Sequence, residues 1–413
     1  MGILYNIGIG CYTAAISVAS VANTKARLWL KGRKALIERV ESDMAQDRRP
    51  KIWIHSASLG EFEQARPIIE RIRTEHPEYS IVVTFFSPSG YEIRKNYSEA
   101  DHIYYLPSDT QRNAKRFVEA VAPRAAIFIK YEFWLNYLSE LRRRSTPTYL
   151  VSAIFRRNSI FFQPWGWAWR RALATFDTLF VQNDISKQLL SSIGFDNVVV
   201  AGDTRFDRVA AIAKHRHPIP IIERFRGDSR LFIAGSTWGP DEQILIELIN
   251  ENRDIRFVIA PHEMDEARIG HIIASVKGGA VRYTESTDQS DFGSAQVLIL
   301  DTIGVLSSAY SYATWAYIGG GFGVGIHNTL EAATFGLPIA FGPKYSKFQE
   351  ACDMIELRAA QSVRSAEELK SWFKPLRDDE NHLERASLAA KGYAEKNCGA
   401  TSLITEAIFA SIK

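Results

Sequence analysis

The sequence predicts an α/β fold of two doubly wound domains in tandem, and three observations carry this prediction. Short, continuously apolar runs alternate with segments of helical periodicity, which is typical of parallel strands covered by helices on both faces. The alternation stops at residues 215–220, HRHPIP, and then restarts. The chain has 413 residues, which is long enough for two domains of ordinary size.

Composition places the chain among globular proteins and excludes several other classes. Hydrophobic residues make up 46% of the chain and charged residues 23%, so disorder is not expected. The net charge of +3 is too small to indicate nucleic acid as a partner. Cys11, Cys352 and Cys398 form no C-x-x-C pair, which argues against a disulfide scaffold or a zinc site and favours a reducing cytoplasm.

The amino terminus, residues 1–34, predicts a membrane anchor with a basic flank. Residues 3–23 carry no charge, and about 20 uncharged residues can span a bilayer as a helix. Lys25, Arg27 and Lys31 follow, which indicates that this side faces the cytoplasm. The stretch is rich in alanine, serine and glycine, so a helix lying in the membrane interface or a buried core helix is the alternative.

The first α/β domain is predicted over residues 35–214. Residues 61–74 have the pattern of an amphipathic helix, placed between the first two strands. The ligands of such sheets bind beyond the carboxyl ends of the strands, so functional residues are expected in the loops there. The predicted strands are the apolar runs 51–55, 81–86, 103–106, 125–129, 148–151, 179–182 and 198–201.

The second α/β domain is predicted over residues 221–395, after a linker at 215–220 and before a C-terminal helix at 396–413. Its strands are predicted at 231–234, 257–260, 281–283, 297–300, 315–318 and 339–341.

The stretch 318–342, IGGGFGVGIHNTLEAATFGLPIAFG, is the most informative part of the chain. A short strand leads into five glycines and then into a helix that opens at Asn328, with Glu331 three residues on. Glycines let backbone N–H groups approach a ligand, and a helix N-terminus favours an anion, so the stretch suits a phosphate-bearing ligand. A strand-to-helix turn with an Asn/Glu capping box accounts for the pattern equally well.

Three further loops of the second domain are expected to face the same crevice. Gly235, Ser236 and Thr237 follow one strand, His262 follows the next, and Thr302 follows a third. Their hydroxyls and histidine suit a nucleotide with a phosphate, although each hydroxyl alone is more often a helix cap. The Glu331 carboxylate either accepts hydrogen bonds from ribose hydroxyls or reaches back to the Asn328 N–H.

The first domain offers two carboxylates at its sheet edge. Glu61 follows the first strand, and Glu132 follows another strand in the run KYEFW. The positive end of a helix favours the ionised form that a general base requires, which makes Glu61 the stronger candidate. Ser58 and Glu61, with Gly60 between them, also have capping-box spacing, so a purely structural role is the alternative.

A basic and aromatic segment follows at residues 156–171. Tryptophan favours the membrane interface and arginine pairs well with phosphate, so the segment suits a lipid substrate with an anionic headgroup. A helix with a buried aromatic face and a solvated basic face accounts for the pattern at least as well. The residues concerned are Arg156, Arg157, Trp165, Trp167 and Trp169.

With these motifs in order along the chain, the sequence resembles the 3-deoxy-D-manno-oct-2-ulosonic acid (Kdo) transferases of Gram-negative bacteria over nearly its whole length. The resemblance implies a GT-B fold, meaning two Rossmann-like domains, and a location at the cytoplasmic face of the inner membrane. The motifs that carry it are HSASLGEFEQARPII, KYEFWLN, VQNDISKQLLSSIGF, VVVAGDTRFD, AGSTWGPDE, LILDTIG and GGGFGVGIHNTLEAATFGLPIAFGP.

The resemblance also implies roles for the candidate residues. Glu61 would be the general base that takes a proton from a hydroxyl of the lipid A precursor, with Glu132 as a supporting carboxylate. The donor would be CMP-Kdo, no metal cofactor is expected, and anionic membrane lipids are expected as partners. The CMP moiety would be held by Gly235, Ser236, Thr237, His262, Thr302, Gly325, His327, Asn328 and Glu331.

The chain departs from the family pattern at three points that concern the donor: the run 261–265, Ile326 in place of a glycine before His327, and Val305 in place of an acidic residue. The family commonly shows R-H-P-E-R where this chain reads Pro261-His262-Glu263-Met264-Asp265, so a phosphate-binding arginine is missing there. Two competing hypotheses are another GT-B enzyme, such as a UDP-sugar epimerase, and a non-catalytic membrane-associated scaffold. An epimerase would need neither the membrane anchor nor the lipid-facing aromatic segment, and the scaffold differs from a transferase in not depending on Glu61 for turnover.

Overall fold

The computed structural model describes residues 2–214 and 218–412, and within them the chain divides into two compact units. The first unit comprises residues 1–208 together with 398–413, and the second comprises residues 209–397. Residues 215–217 of the predicted linker lie outside the described residues.

The first unit is a parallel sheet with helices on both faces, as the apolar runs predict. Its strands within the described residues are β1 Lys51–Ser56, β2 Ser80–Phe85, β3 His102–Tyr105, β4 Pro123–Ile129, β5 Thr148–Ala153, β6 Thr178–Val181 and β7 Val198–Val200. Their order in the sheet is β3-β2-β1-β4-β5-β6-β7, and every pairing is parallel. The central strands β1 and β2 are buried along their whole length, and their middle residues are apolar, with the buried polar side chains of His55 and Thr84 towards their carboxyl ends.

Helices cover both faces of this sheet. They are α1 Gly2–Ala19, α2 Thr24–Arg33, α3 Leu36–Gln46, α4 Leu59–Glu75, α5 Pro88–Arg94, α6 Gln111–Val121, α7 Leu135–Arg143, α8 Trp167–Leu173, α9 Asp184–Ser191 and α10 Thr204–Lys214, with short 3-10 turns at Ile160–Phe162 and Pro164–Gly166.

The second unit repeats this architecture. Its strands among the described residues are β8 Leu231–Thr237, β9 Arg256–Pro261, β10 Ala280–Arg282, β11 Val297–Ile299, β12 Trp315–Ile318, β13 Ile339–Phe341 and β14 Ala360–Ser362, in the all-parallel order β10-β11-β9-β8-β12-β13-β14. Its helices are α11 Pro220–Arg226, α12 Gly239–Glu251, α13 Glu266–Ser275, α14 Leu306–Ala309, α15 Leu330–Thr334, α16 Gln349–Glu356, α17 Ala366–Asp378 and α18 Glu380–Lys396, with a 3-10 turn at Tyr310–Tyr312.

The last helix, α19 Ala400–Ser411, returns to the first unit. Its apolar face, including Ile404 and Ile408, joins the core beneath α4, and the Phe409 ring stacks on His76 with 3.6 Å between ring centroids. The Asp207 carboxylate accepts hydrogen bonds from the Gly399 and Thr401 amides and so fixes the start of α19. The C-terminal segment is therefore part of the first core.

The amino-terminal helix differs from the anchor that residues 1–34 predict. Within residues 2–214 and 218–412, no helix is both long and apolar enough to cross a membrane. Helix α1 has 18 residues, a length of about 27 Å, against a hydrocarbon thickness of about 30 Å. It packs on the first unit through Tyr5, whose hydroxyl donates to Asp109 (2.5 Å), and through Tyr12, whose ring stacks on Phe86.

Candidate active site

The two candidate carboxylates of the first unit lie at the point where the sheet changes direction. The chain runs from β1 outward to β2 and β3 on one side, and from β4 outward to β7 on the other. Glu61 follows β1 and Glu132 follows β4, and these strands are neighbours with parallel register. Ligands of open α/β sheets bind in the crevice at such a switch point.

Glu61 lies in the first turn of α4, where Ser58 occupies the N-cap position. The predicted capping box is not formed there, since within the described chain the Ser58 side chain accepts no hydrogen bond from a backbone amide of the helix. The Ser58 hydroxyl instead donates to Oε2 of Glu61. This contact orients the Glu61 carboxylate, which remains partly exposed at the helix N-terminus.

Glu132 belongs to a hydrogen-bonded group with His55 and Trp134. The Trp134 Nε1–H lies 2.7 Å from Oε2 of Glu132 and 3.0 Å from Nε2 of His55, and the carboxylate is the stronger acceptor. His55 is fully buried, lies 3.4 Å from Glu132 and contacts the Thr84 hydroxyl through Nδ1 (2.8 Å). Glu132 is thus held in place by a buried network at the carboxyl ends of β1, β2 and β4.

A third carboxylate near this edge, Asp109, has a structural role. It is almost fully buried and accepts hydrogen bonds from the Asn136 amide (3.2 Å), the Tyr137 amide (3.1 Å) and the Tyr5 hydroxyl. Burial raises the pKa of Asp109 to about 6. Asp109 therefore links the start of α7 to helix α1 through hydrogen bonds.

The basic and aromatic segment is divided between surface and core. Trp165 and Trp167 are 67% and 54% exposed, whereas Trp169 packs against Phe133 and Phe161 as part of the first core. Arg156 and Arg157 are exposed in the turn after β5. Among the three tryptophans, the predicted buried aromatic face is thus limited to Trp169.

In the second unit, the switch point lies at β8, which has β9 on one side and β12 on the other. Gly235, Ser236 and Thr237, expected to follow the strand, form its last residues. The end of β8 and the glycine-rich loop after β12 touch closely, because a Cβ on Gly319 would lie 2.2 Å from the Ser236 carbonyl oxygen. Ser236 itself has φ +55, a strained conformation for a residue other than glycine. Gly320 has φ +92, which glycine adopts without cost.

Asp241 in α12 connects these two loops. Its fully buried carboxylate accepts hydrogen bonds from the Tyr317 hydroxyl (2.7 Å), the Gly320 amide (2.9 Å) and the Trp238 amide (2.9 Å). Burial raises the pKa of Asp241 above its usual value. The sequence alone predicts for Asp241 only the start of a helix, because nothing in the local pattern shows that its partners lie on β12 and in the loop beyond.

An aromatic stack lies over the glycine-rich loop. The rings of Trp238 and His262 are 4.8 Å apart, and those of His262 and His327 are 4.3 Å apart. The Trp238 indole N–H donates to Nε2 of His327 (3.2 Å), so the proton of the neutral His327 ring is on Nδ1. Burial, followed by the charge of His262, lowers the pKa of His327 to about 4. The stack therefore presents neutral His327 at neutral pH.

Glu331 is oriented from two sides. The Ser307 hydroxyl donates to its Oε2 (2.7 Å), and the Asn328 side-chain amide donates to its Oε1 (3.1 Å). The predicted return of Glu331 to the Asn328 backbone N–H is wrong, because Asn328 uses its own side chain to accept from the Leu330 amide and α15 begins only there. Each Glu331 oxygen keeps capacity for another donor.

The remaining two residues predicted to bind the sugar donor, Gly325 and Thr302, make few side-chain or backbone hydrogen bonds among the described residues. Gly325 has φ +151, and its amide donates to the Gly320 carbonyl (3.4 Å), which closes the glycine-rich loop. Thr302 follows β11 in a half-buried bend, and its side chain makes no hydrogen bond within the part of the chain that the structure describes.

Arg268 is a site residue that the sequence did not reveal. Its guanidinium donates to the Thr237 carbonyl (3.0 Å) and to the buried Glu242 carboxylate (2.5 Å), and it lies 5.6 Å from the Trp238 ring centroid. Arg268, which lies in α13, thus holds the end of β8 in place. Nothing in its sequence neighbourhood indicates this, since it comes six positions after His262 in a polar helix.

A metal site is not apparent in the described residues. Across residues 2–214 and 218–412, His, Cys, Asp and Glu side chains form no group of three or more that could hold a metal ion.

The fold and both switch points define the class of protein. The chain superimposes with a TM-score of 0.62 on a putative UDP-N-acetylglucosamine 2-epimerase from Listeria monocytogenes, at 14% identity, covering 87% of this chain and 96% of that one. MurG of Acinetobacter baumannii gives a TM-score of 0.55 at 13% identity, covering 88% and 99%. These likenesses show the fold alone, and they confirm two parallel-sheet α/β domains of the GT-B type.

Sequence similarity relates the chain to one family within this fold. Residues 31–208 match the family model described as 3-Deoxy-D-manno-octulosonic-acid transferase (kdotransferase). The chain is 28% identical over 338 residues to the 3-deoxy-D-manno-octulosonic acid transferase of Chlamydia trachomatis serovar A, covering 78% of this chain and 77% of that one. It is 26% identical over 356 residues to the Aquifex aeolicus protein of the same name, covering 84% and 92%. The assignment that the motifs predicted is confirmed: this chain is a glycosyltransferase related to the Kdo transferases.

Proposed function

We propose that the protein transfers Kdo from CMP-Kdo to a lipid A precursor, a reaction of lipopolysaccharide inner-core synthesis. The observation that carries the proposal is the Glu61 carboxylate, oriented by Ser58 at the switch point of the first unit, in a chain related to Kdo transferases. The second unit, with its glycine-rich loop at β8 and β12, supplies a site suited to the nucleotide of the donor.

Glu61 is the general base in this proposal. It takes the proton from the acceptor hydroxyl as the hydroxyl oxygen attacks the anomeric carbon of Kdo, and CMP leaves from the opposite side, so the anomeric configuration is inverted. Glu61 lies in the first turn of α4, where the Ser58 hydroxyl orients its carboxylate. Glu132, held by Trp134 and His55, is the supporting carboxylate that orients the acceptor.

The donor contacts follow from the loops of the second unit. The backbone N–H groups of Gly321, Phe322 and Val324, which make no hydrogen bond within the described residues, stabilise the charge that develops on the CMP phosphate as it leaves. Glu331 accepts from the ribose hydroxyls, since Ser307 and Asn328 fix its carboxylate without saturating it. Neutral His327 and the Trp238 ring offer a surface on which a base can stack. Arg268 acts as a positioning residue for this loop.

We propose that the protein works at the cytoplasmic face of the inner membrane, bound at its surface. Exposed Trp165 and Trp167, with Arg156 and Arg157 nearby in the chain, support contact with an interface of anionic lipids. The Trp165→Ser/Trp167→Ser variant is expected to sediment less with anionic vesicles than the wild type. Equal sedimentation would remove these tryptophans from the membrane contact.

The Glu61→Gln variant tests the reaction. With CMP-Kdo and a lipid A precursor, mass spectrometry is expected to show the Kdo-bearing product with wild-type protein and about 10³-fold slower formation with Glu61→Gln. CMP affinity is expected to stay within about twofold, because Glu61 lies in the unit that does not bind CMP. Glu75→Gln, at the exposed end of the same helix, is the matched control, since surface ion pairs contribute little.

Further arms of the same assay separate the alternatives. Unchanged turnover by Glu61→Gln would remove Glu61 from the mechanism. Product from UDP-N-acetylglucosamine and none from CMP-Kdo would favour an epimerase. We also propose that no metal cofactor is needed, which the family resemblance supports, and transfer in EDTA at an undiminished rate is the expected result.

A further inference from the structure

A cavity in the first unit lies beside the start of α7, and neither Glu61 nor Glu132 lines it. Its volume is about 270 Å³, and it lies among helices α1, α7 and α8 and the start of α6. Its apolar lining includes Leu135, Leu138 and Ala172, and its polar lining includes Tyr5, Ser139, Thr175 and two arginines, Arg142 and Arg171. No step of the proposed transfer uses any of these side chains.

The two arginines differ from their neighbours in having no carboxylate to neutralise them. Arg143 donates to Glu140 (2.6 Å), and Arg144 donates to Glu140 (2.7 Å) and to Glu119 (3.2 Å). Across residues 2–214 and 218–412, the side chain of Arg142 makes no ion pair or hydrogen bond, although it is consecutive with these paired residues.

Arg171 is likewise without a carboxylate in the described part of the chain, and its guanidinium lies 5.4 Å from the centroid of the exposed Trp167 ring. The Asp109 carboxylate, which contacts the lining residues Tyr5 and Asn136, is occupied by the Tyr5 hydroxyl and the Asn136 and Tyr137 amides. Among the described residues that line the cavity there are two exposed arginines and no aspartate or glutamate, which suits an anion.

The rest of the lining indicates what kind of anion this is. Leucine and alanine side chains form part of the wall, so the ligand carries apolar groups beside its charge. Exposed apolar residues flank the cavity on α1 and α8, namely Leu4, Ile7 and Trp167, which fits an opening onto a lipid surface. A free phosphate ion would use the arginines and leave the apolar wall in water.

We propose that this cavity binds the phosphate headgroup of an anionic phospholipid, at a site separate from the acceptor site. Arg142 and Arg171 hold the phosphate, the Ser139 and Thr175 hydroxyls donate to its oxygens or to the glycerol, and the first carbons of the acyl chains cover Leu135 and Leu138. The inference is independent of the transfer reaction, and its test contains neither CMP-Kdo nor lipid A precursor.

The test uses the full chain and dihexanoyl phosphatidylglycerol below its micelle concentration, with binding followed by calorimetry. Arg142→Gln/Arg171→Gln is expected to weaken binding on the order of 10- to 30-fold, because each cation near an anionic lipid contributes about tenfold or less. Ser139→Phe keeps both charges and fills the cavity from an exposed position of α7, and it is expected to weaken binding at least about tenfold. Arg48→Gln/Arg253→Gln removes two exposed arginines elsewhere and is expected to change binding by less than about twofold.

The outcomes distinguish a lipid site from general charge attraction and from a free-anion site. An equal loss in Arg48→Gln/Arg253→Gln would overturn the proposal in favour of general electrostatic attraction, and full binding by Ser139→Phe would place the lipid outside the cavity. Inorganic phosphate that binds wild-type protein as tightly as the lipid would overturn the lipid assignment in favour of a free-anion site. Thermal unfolding checks each variant, and Ser139→Phe alone decides the matter if the double arginine variant fails to fold.

Discussion

Replacing Asp241 by alanine is expected to loosen the glycine-rich loop of the second unit. The Asp241 carboxylate is the shared acceptor for three donors, the Tyr317 hydroxyl and the Gly320 and Trp238 amides. All three hydrogen bonds have donor–acceptor distances between 2.7 and 2.9 Å, and the carboxylate is fully buried. Alanine leaves these three donors buried and without an acceptor.

The magnitude follows from counting the donors. A buried donor without a partner costs about 1–3 kcal/mol, so three donors cost roughly 3–9 kcal/mol. The buried Asp241 carboxylate has a desolvation cost, and removing the charge offsets several kcal/mol of this loss. The net destabilisation of the loop is then about 3 kcal/mol, equivalent to an opening equilibrium roughly 150-fold larger. Asp241→Asn keeps one oxygen that accepts from both amides, and it is expected to lose only about 1 kcal/mol.

Hydrogen exchange of the Gly320 amide measures this opening directly. Asp241→Ala is expected to exchange about 100-fold faster there than wild-type protein and to bind CMP more weakly, with Asp241→Asn between the two. Peptides from β1 and α4 in the first unit are the internal control and are expected to exchange as in the wild type. Exchange at Gly320 within about threefold of wild type in Asp241→Ala would refute the reasoning that the carboxylate holds the loop.

Three further predictions concern pH and close packing. The unfolded chain protonates His327 near pH 6.5 and the folded unit only near pH 4, so the second unit loses stability as pH falls through this window. His327→Gln is expected to lose less stability there, and an NMR titration of His327 with a midpoint above 6 would contradict this. Asp109 has the opposite sign, because its folded pKa of about 6 exceeds 3.8 and the stability it contributes in acid is lost as pH rises through 6. Asp109→Asn should therefore gain on wild type as the pH rises from about 4 to 6 in thermal unfolding, and a constant difference over that range would contradict the assignment. Gly319→Ala is expected to lower CMP affinity at least about tenfold, because its Cβ would overlap the Ser236 carbonyl, whereas Gly270→Ala meets no atom within 4 Å and is the control.

Most strands were predictable from the sequence because both sheets are parallel and covered on both faces. Such strands are buried throughout and read as continuous apolar runs, as residues 81–85 and 231–234 do. The strand that was not predicted, β14 Ala360–Ser362, lies at the sheet edge and consists of alanine, glutamine and serine. Its place is fixed by pairing with β13, which no local pattern reports.

The candidate site was predictable only in its loops. The rule for parallel sheets identifies the segments after β1, β4, β8, β9 and β12, and the structure brings those of each unit to a switch point. The stack of Trp238, His262 and His327 joins residues of three different loops, so no spacing within the sequence reveals it.

Neither of the capping boxes considered as structural alternatives is formed among the described residues. In each case side-chain donors bind the glutamate carboxylate instead. The Ser58 hydroxyl donates to the Glu61 carboxylate. The Ser307 hydroxyl and the Asn328 side-chain amide donate to the Glu331 carboxylate. Ser307 is far from Glu331 in sequence, so capping-box spacing alone does not decide between a helix cap and a functional carboxylate.

The return of α19 to the first unit has a consequence for how the protein is made. Ile404 and Ile408 complete the core beneath α4, so the first unit stays unfinished until residues 400–411 have been synthesised. A chain that terminates between residues 209 and 399 lacks this helix, exposes the apolar residues beneath α4 and becomes a target for proteolysis. The first unit therefore becomes stable only after the second unit has been synthesised.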